Sequence, residues 1–233
     1  MPRAIVCSIL CLVAFAPTLA PDRARAAARE QSAALGSVVA RVPAGRWVTL
    51  HASPGGASIV DVGDRTEFGS PMTFGVIGRS GPWLAVVSSR LSNHRVGWIR
   101  SDAVRVNRTA LTMTVTLSSR SLVVRRNGRL VERATVGIGR PSSPTPTGVF
   151  AVTDKLDGRR YGAYYGCCIL ALSAHQPFLP AGWRGGDRIA IHGTDEPSSI
   201  GAAASAGCLH VADGPLRSLM RTIPLGTRVV IRP

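Results

Sequence analysis

Short runs of apolar residues alternate with polar positions along most of this chain, and turn-forming residues separate the runs. The alternation is clear in Trp83–Val87 and Val96–Ile99, and it is typical of half-buried strands. Asn127 and Gly128 stand between two such runs, which predicts a tight hairpin at that pair. The 25 glycines and 16 prolines among 233 residues divide the chain into short elements. The pattern therefore predicts a mainly β fold rather than a helical bundle.

One stretch near the C-terminus has helical spacing instead. Its apolar residues fall at positions i, i+3, i+4 and i+7, so they would share one helix face. Asp213 precedes this run and is expected to cap the helix. The sequence therefore predicts one short helix over residues 213–223, followed by a last strand. The apolar residues of this face are Leu216, Leu219, Met220 and Ile223.

The first 26 residues have the pattern of a signal peptide. Arg3 comes first, an apolar stretch covers residues 4–20, and Ala24 and Ala26 complete a cleavage pattern. Pro17 interrupts the stretch, which favours a cleaved signal over a permanent anchor. No later apolar run reaches the roughly 18 residues that a membrane span needs. We therefore expect an exported, secreted protein on the periplasmic side or in the cell envelope, with membrane contact only through an uncleaved signal.

The remaining chain is interpreted as a tether followed by two domains. Residues 27–36 are rich in alanine and arginine and form the tether. Residues 37–106 resemble bacterial SH3-like β-barrel modules of cell-wall enzymes, because Trp83 and Trp98 lie in the sequences GPWLAV and VGWIR. The joint falls near residues 107–111, and a second domain is expected over residues 110–232.

The charge balance limits the classes of binding partner that are expected for this chain. Lys and Arg number 28 against 13 Asp and Glu, which gives a formal net charge of +15. Such a chain is biased toward polyanions. The arginines are scattered, and neither a basic helix nor an aromatic platform accompanies them, so nucleic acid is not expected. Anionic cell-wall polymers are the expected counter-charge.

Cysteine positions also carry information. Cys7 and Cys11 lie in the predicted signal, so the exported chain keeps Cys167, Cys168 and Cys208. An odd number outside the cytoplasm leaves at least one free thiol or one intermolecular bond. Adjacent cysteines rarely pair because the ring is strained. We therefore expect the adjacent two to be small residues of a strand without a mutual bond, and Cys208 to be the reactive one.

The candidate chemistry lies between residues 189 and 210. An alternating apolar strand ends at His192, and sixteen residues later a small-residue turn presents Cys208. A cysteine nucleophile needs a nearby base, because the thiolate attacks and the free thiol has a pKa of about 8.5. Ala206 and Gly207 supply the sharp turn, and the backbone N–H groups of the Gly-Cys pair can stabilise an oxyanion. The spacing between His192 and Cys208 is by itself only moderately specific, since a His and a Cys often occur in one domain by chance.

These residues resemble the L,D-transpeptidase catalytic domain family of peptidoglycan enzymes. The family pattern, a His-Gly pair followed by Ser/Thr-His-Gly-Cys, stands here as HG at 192–193 and SAGCLH at 205–210. Upstream, VGIGRPSSPTPTGVF matches the glycine-rich strand and loop of the family, and the resemblance covers residues 110–232. Two positions depart from the pattern: Ala206 replaces His or Ser, and His210 replaces Arg or Asn.

The resemblance implies a β-sandwich with one short C-terminal helix and a role in peptidoglycan biosynthesis, cell-wall biogenesis and cell shape. Cys208 would form a thioester with a stem peptide, with His192 as base, and an amine of a second stem would complete a 3→3 cross-link. Neither a metal nor another cofactor is implied. The candidate catalytic residues are Cys208, His192, Gly193, Ser205 and Gly207, with Gly193 or Thr194 orienting the imidazole through a carbonyl. The candidate substrate-binding residues are Thr194, Ala206, His210, Tyr164 and Tyr165, with Tyr161 beside them.

Several alternatives stay open from the residues. With water as the acceptor of the acyl group, the protein would be an L,D-carboxypeptidase. The departures at Ala206 and His210 also leave open a catalytically degenerate protein that binds the cell wall. A cysteine endopeptidase is disfavoured because that class places its Cys before its His. His210 is the alternative base. The other histidines, His51, His94 and His175, are expected to be structural or solvated.

Overall fold

The computed structural model of the protein describes residues 37–233, and these residues form 17 strands and one α-helix. The predicted signal peptide at 1–26 and the tether at 27–36 lie outside the described residues. In residues 37–233 no helix is both long and apolar enough to cross a membrane. The prediction of a mainly β fold with one short helix is confirmed.

The first seven strands form one antiparallel sheet within residues 37–109, here called the N-terminal segment. Its spatial order is β3-β2-β6-β5-β4-β1-β7. The alternation noted in the sequence buries Leu84 and Val86 together with Phe74 in the core of this sheet. The likeness of this segment to SH3-like barrels stays a prediction. The strands are β1 (Ser37–Arg41), β2 (Val48–His51), β3 (Ser58–Val62), β4 (Thr73–Ser80), β5 (Trp83–Val87), β6 (Gly97–Arg100) and β7 (Arg105–Thr109).

Residues 110–233, here called the C-terminal segment, form an eight-stranded sheet in the order β10-β9-β8-β17-β12-β13-β14-β16. A small parallel pair, β11 with β15, lies beside it. The strands of the large sheet are β8 (Leu111–Thr116), β9 (Ser121–Arg126), β10 (Arg129–Thr135), β12 (Gly148–Asp157), β13 (Cys168–His175), β14 (Arg188–His192), β16 (Leu209–His210) and β17 (Arg228–Arg232). The small pair consists of β11 (Ile138–Gly139) and β15 (Ala203–Ser205).

The predicted hairpin is present between β9 and β10. Arg126 pairs with Arg129 across the turn. Asn127 and Gly128 have φ angles of 49° and 80°, as a two-residue turn with left-handed backbone requires. The Asn-Gly signal therefore predicted both the place and the type of this turn.

Helix α1 (Asp213–Thr222) packs its apolar face on the core of the C-terminal segment, with Leu216 and Leu219 fully buried. The expectation that Asp213 caps this helix is wrong. Ala212 is the cap residue and no side chain bonds the first turn. The Asp213 carboxylate instead accepts a hydrogen bond from the backbone N–H of Cys167 at 3.3 Å, which ties the helix start to the loop before β13. Four short 3-10 helices occupy Ser101–Ala103, Gly158–Tyr161, Ala163–Tyr165 and Pro197–Ser199.

Hydrogen bonds join the two segments. Ser37 Oγ donates to the carbonyl of Leu111 at 2.8 Å. The Asn93 side chain bonds both the N–H and the C=O of His175, at 2.9 and 2.7 Å, as a neighbouring strand would. His175 also contacts the backbone carbonyl of Ser89 through Nε2 at 3.0 Å. His175 therefore has a structural role, as expected from the sequence.

Candidate active site

Two parallel strands bring His192 and Cys208 to the same part of the sheet. β14 ends at His192, and β16 begins directly after Cys208. The register pairs Ile191 with Leu209 and His192 with His210. Because side chains on a strand alternate, Cys208 and His210 point to one face, and Cys208 is the diagonal neighbour of His192.

The turn before Cys208 is held by its own side chains. Ser205 Oγ donates to the carbonyl of Cys208 at 2.6 Å and accepts from the N–H of Gly207 at 3.0 Å. Gly207 has a φ of 118°, a backbone angle that residues other than glycine rarely adopt. The Gly207 N–H is therefore engaged with Ser205. Of the two predicted oxyanion donors, the N–H of Cys208 remains the candidate.

Side chains from other elements fix the outside of this turn. Thr145 Oγ1 donates to the carbonyl of Gly207 at 2.8 Å, and Gln176 Nε2 donates to the carbonyl of Ala206 at 2.9 Å. A Cβ atom on Gly207 would lie 2.0 Å from Gln176 Nε2. The glycine is thus required by packing as well as by backbone angle.

His192 is fully buried, and a backbone carbonyl fixes its orientation. Its Nδ1–H donates to the carbonyl of Gly193 at 2.5 Å, while Nε2 is buried without a partner among the described residues. Burial and, to a lesser extent, the nearby His210 lower the pKa of His192 to about 4, although the hydrogen bond to the Gly193 carbonyl acts in the opposite direction. At neutral pH the imidazole is therefore neutral and can accept a proton at Nε2.

Gly193 lies in a crowded place that explains its residue type. A Cβ atom there would lie 2.9 Å from both the Asp213 carboxylate and the Cα of Gly166. The N–H of Gly193 donates to the carbonyl of Cys168 at 3.2 Å. The strand end that carries His192 is thus pressed against the loop before β13.

The thiol of Cys208 is free, and the residue is half-buried. Sγ–H donates to the carbonyl of Arg188 at 3.9 Å. Burial raises the pKa of this thiol to about 11, although the backbone N–H of Ala190 lowers it in part. Cys208 is therefore a neutral thiol at neutral pH.

Among the described residues no hydrogen bond joins the Cys208 thiol to the His192 imidazole, and the thiol donates to the carbonyl of Arg188 instead. The two groups still share neighbours. The rings of Tyr164 and Tyr165 lie 5.4 and 5.0 Å from the His192 ring, and both tyrosines are close enough for the charge of a Cys208 thiolate to raise their pKa values. Active-site hydrogen bonds are often long without substrate and tighten when it binds.

A cavity of about 150 Å³ opens over Cys208, and we call it the Cys208 cavity. Its wall is mainly aromatic and aliphatic. Burial, together with the charge that a Cys208 thiolate would carry, raises the pKa of Tyr164 to about 12, so its hydroxyl stays neutral. Wall residues include Phe68, Tyr161, Tyr164, Tyr165, Trp183 and Ile189.

A larger groove of about 690 Å³ adjoins this cavity, and we call it the His210 groove. Ala206, Tyr164 and Trp183 line both spaces. The rest of the groove combines the polar and charged residues Arg140, Thr194, Asp195, Glu196 and His210 with Pro180, Ala202 and Ala204. The groove and the cavity are therefore two sides of one cleft with different chemistry.

His210 resembles His192 in one respect. Its Nδ1 lies 2.8 Å from Ser199 Oγ, which gives its own hydrogen to the carbonyl of Glu196, so Nδ1–H is the donor. Nε2 of His210 is buried and has no partner in the described chain. The two imidazole rings lie 4.8 Å apart. Burial lowers the pKa of His210 while Asp195 acts to raise it, so this ring is also neutral at neutral pH.

Cys167 and Cys168 form a disulfide with one another, so the expectation that they do not pair is wrong. The expectation weighed ring strain alone. In the fold both residues are buried, and the surrounding backbone holds them. Gly158 N–H donates to the carbonyl of Cys167, and Gly193 N–H donates to that of Cys168. Cys168 begins β13, so the prediction of buried strand residues is confirmed for it.

Four residues of the site were not predicted from the sequence. Thr145 lies in the PTPT loop, which was noted as a motif but not assigned to the turn at Cys208. Gln176 and Arg188 lie at strand ends with no local signal of their role. Phe68 comes from the N-terminal segment, and only the tertiary structure brings it to the Cys208 cavity.

Comparisons with known proteins identify the family of this chain. A family model described as the YkuD L,D-transpeptidase catalytic domain matches residues 110–231. A relative from Bacillus licheniformis, named "Putative L,D-transpeptidase YkuD", is 32% identical over 52% of this chain and 65% of its own length. The protein of the same name from Bacillus subtilis is 30% identical over 51% of this chain and 64% of its own length. A solved L,D-transpeptidase from Mycobacterium smegmatis is 14% identical, covers 67% of this chain and 80% of that chain, and has a TM-score of 0.43.

The matched region is more than half of the chain, so the chain belongs to the YkuD family of L,D-transpeptidase catalytic domains. The resemblance seen in the sequence motifs is thereby confirmed. The chain spans slightly less than two thirds of the length of the two curated relatives. The likeness to the solved structure is too loose to carry a residue correspondence.

Proposed function

We propose that this protein is a cysteine L,D-transpeptidase that acts on peptidoglycan stem peptides, with Cys208 as nucleophile and His192 as base. One observation carries the proposal: a free thiol faces an aromatic cavity beside a buried imidazole whose Nε2 is unpartnered and whose Nδ1–H is held by Gly193. A thiol and an oriented imidazole are the pair that nucleophilic acyl transfer needs. Membership in the family supports the same reaction.

In the first half-reaction the Cys208 sulfur attacks the carbonyl of the third residue of a stem tetrapeptide. The thiol proton passes to Nε2 of His192 as the S–C bond forms. This order suits a thiol whose pKa is raised to about 11, because a free thiolate is disfavoured in the cavity. The imidazolium then protonates the nitrogen of the terminal D-Ala, the C–N bond breaks, and a thioester remains.

In the second half-reaction the side-chain amine of a diaminopimelate in another stem attacks the thioester. The new amide bond forms as the C–S bond breaks, an amine proton passes to an imidazole, and the sulfur is reprotonated. The product is a 3→3 cross-link. The His210 groove beside the cavity supports an amine acceptor, because Asp195 and Glu196 attract an ammonium group and His210 Nε2 has a lone pair to take its proton.

Acylation of the thiol by a carbapenem tests the nucleophile. The full chain is incubated with imipenem, and the intact mass is expected to rise by one drug equivalent in the wild type and not in Cys208→Ala. Peptide mapping assigns the adduct, since Cys7 and Cys11 also occur in the chain. Release of D-Ala from a stem tetrapeptide should likewise require Cys208.

The products separate the remaining alternatives. Cross-linked dimers that contain a diaminopimelate–diaminopimelate amide support transpeptidation. D-Ala release without dimers means that water is the acceptor and the protein is an L,D-carboxypeptidase. If the wild type yields neither an adduct nor D-Ala, the catalytic proposal fails and a wall-binding protein takes its place.

We also propose that the protein works outside the cytoplasm, associated with the cell wall. The expected signal over residues 1–26, the substrate class and the Cys167–Cys168 disulfide support this, because disulfides persist mainly in oxidising compartments. Cell fractionation with sequencing of the mature N-terminus tests it. A full-length chain recovered only from the cytoplasm would contradict it.

A further inference from the structure

The turn over residues 66–70 of the N-terminal segment reaches the Cys208 cavity. It is a tight turn, in which Thr66 N–H donates to the carbonyl of Ser70 at 2.9 Å and Gly69 N–H donates to that of Thr66 at 3.0 Å. Phe68 lies at its tip and lines the cavity. Its ring meets that of Tyr161 edge to face at 6.4 Å. A side chain from outside the family-matched region thus forms part of the wall of the site.

Three contacts hold this turn against the C-terminal segment. Thr66 Oγ1 donates to the buried Asp154 carboxylate at 2.5 Å. Glu67 forms an ion pair with Arg188. The guanidinium carbon of Arg188 lies 6.0 Å from the centre of the Phe68 ring, within cation–π range. These three contacts therefore fix the position of Phe68 at the cavity.

Arg188 links this turn to the thiol. Its side chain is only 11% exposed and donates to the carbonyl of Leu172 at 3.0 Å and to Thr153 Oγ1 at 2.7 Å. Its own backbone carbonyl accepts the hydrogen bond of the Cys208 thiol. One residue therefore anchors the N-terminal turn with its side chain and contacts the nucleophile with its backbone.

We infer that the N-terminal segment completes the binding site for the donor stem peptide, and that Phe68 contacts that peptide directly. This rests on the proposed function. The Phe68 ring is 37% exposed although three contacts hold its turn in place, so apolar surface is left open at the cavity. A stem peptide that reaches Cys208 has alanine methyl and side-chain methylene groups that can cover this ring, with the hydrophobic gain of buried apolar area.

Binding to an inactive protein tests the contact without turnover. Calorimetry of the stem tetrapeptide with full-length Cys208→Ala protein gives a Kd, which we expect to rise about five- to tenfold when Phe68→Ala is added, as for loss of one aromatic contact. Phe68→Tyr keeps the ring and should bind within twofold of the parent. In the active background Phe68→Ala should raise KM by the same factor and leave kcat unchanged.

Phe178→Ala is the matched control, because that ring is 59% exposed and is not part of the Cys208 cavity wall. It should leave Kd unchanged. An equal Kd for Phe68→Ala and its parent, at equal thermal stability, overturns the inference while D-Ala release by the wild type still upholds the proposed function. If Phe68→Ala lowers thermal stability, Kd is measured at a lower temperature at which circular dichroism shows the variant folded, and an unchanged Kd there also overturns the inference. A protein that neither binds the tetrapeptide nor releases D-Ala refutes both.

Discussion

The Cys208 cavity and the His210 groove share a wall but differ in size, lining residues and origin. The cavity holds about 150 Å³, is mainly aromatic and uses Phe68 from the N-terminal segment. The groove holds about 690 Å³, contains Asp195 and Glu196, and is built by the C-terminal segment alone. Under the proposed function, the aromatic cavity suits an acyl donor whose carbonyl must meet a neutral thiol, while Asp195 and Glu196 in the groove suit a cationic acceptor. The difference teaches that the lining residues of one cleft can favour different ligand chemistry on its two sides.

Removal of the proposed base, His192, should have the largest effect. His192→Gln keeps a polar side chain of similar size but has no basic nitrogen. We expect the rate of thiol acylation to fall about 10²- to 10⁴-fold, the usual contribution of a general base. Stopped-flow measurement of acylation by imipenem gives this rate. If the His192→Gln protein is acylated at the wild-type rate and the His210→Gln protein is not, His210 is the base.

Change on the groove side should affect the acceptor step instead. His210→Asn introduces a residue that the family commonly has at this position. We expect amine transfer to fall about tenfold because the lone pair at Nε2 is lost, while acylation stays within threefold. Separate assays of D-Ala release and of dimer formation measure the two steps. Equal losses in both would show that cavity and groove do not divide the reaction.

The pH dependence of the acylation rate is the smallest of the expected effects, because the rate should hardly change near neutral pH. His192 must be neutral to accept the thiol proton, and burial lowers its pKa to about 4. The rate should therefore be flat from about pH 6 to 8, reach half its plateau near pH 4, and fall further as the imidazole is protonated. Circular dichroism at each pH checks that the protein stays folded. A midpoint near 6.5, the ordinary value for histidine, would mean that His192 is not the base or is not buried during the reaction.

Much of the fold and part of the site could be predicted from the sequence. The hairpin at Asn127 and Gly128 and the helix near 213–222 follow from local backbone preference and apolar spacing, so they were predictable. The strand end at His192 and the turn before Cys208 also follow from local pattern. The role of Asp213 could not be predicted in this way, because its carboxylate accepts a hydrogen bond from the backbone of Cys167, 46 residues earlier, and does not cap its own helix.

The distant parts of the site left no local signal. Phe68 and Arg188 are separated by 120 positions, and an aromatic residue in a turn has no pattern that predicts a cavity wall. The pairing of Cys167 with Cys168 was likewise misjudged, because ring strain is a local property while the contacts that hold the two residues come from Gly158 and Gly193.

The sequence by itself determined the strands, the tight turns and which residue types could serve as nucleophile and base, because these depend on backbone angles and on spacing along a few residues. The tertiary structure alone decided that the thiol is a neutral group bonded to Arg188 and that a second segment closes the cavity. Those properties depend on burial and on contacts between distant residues, which no local pattern records.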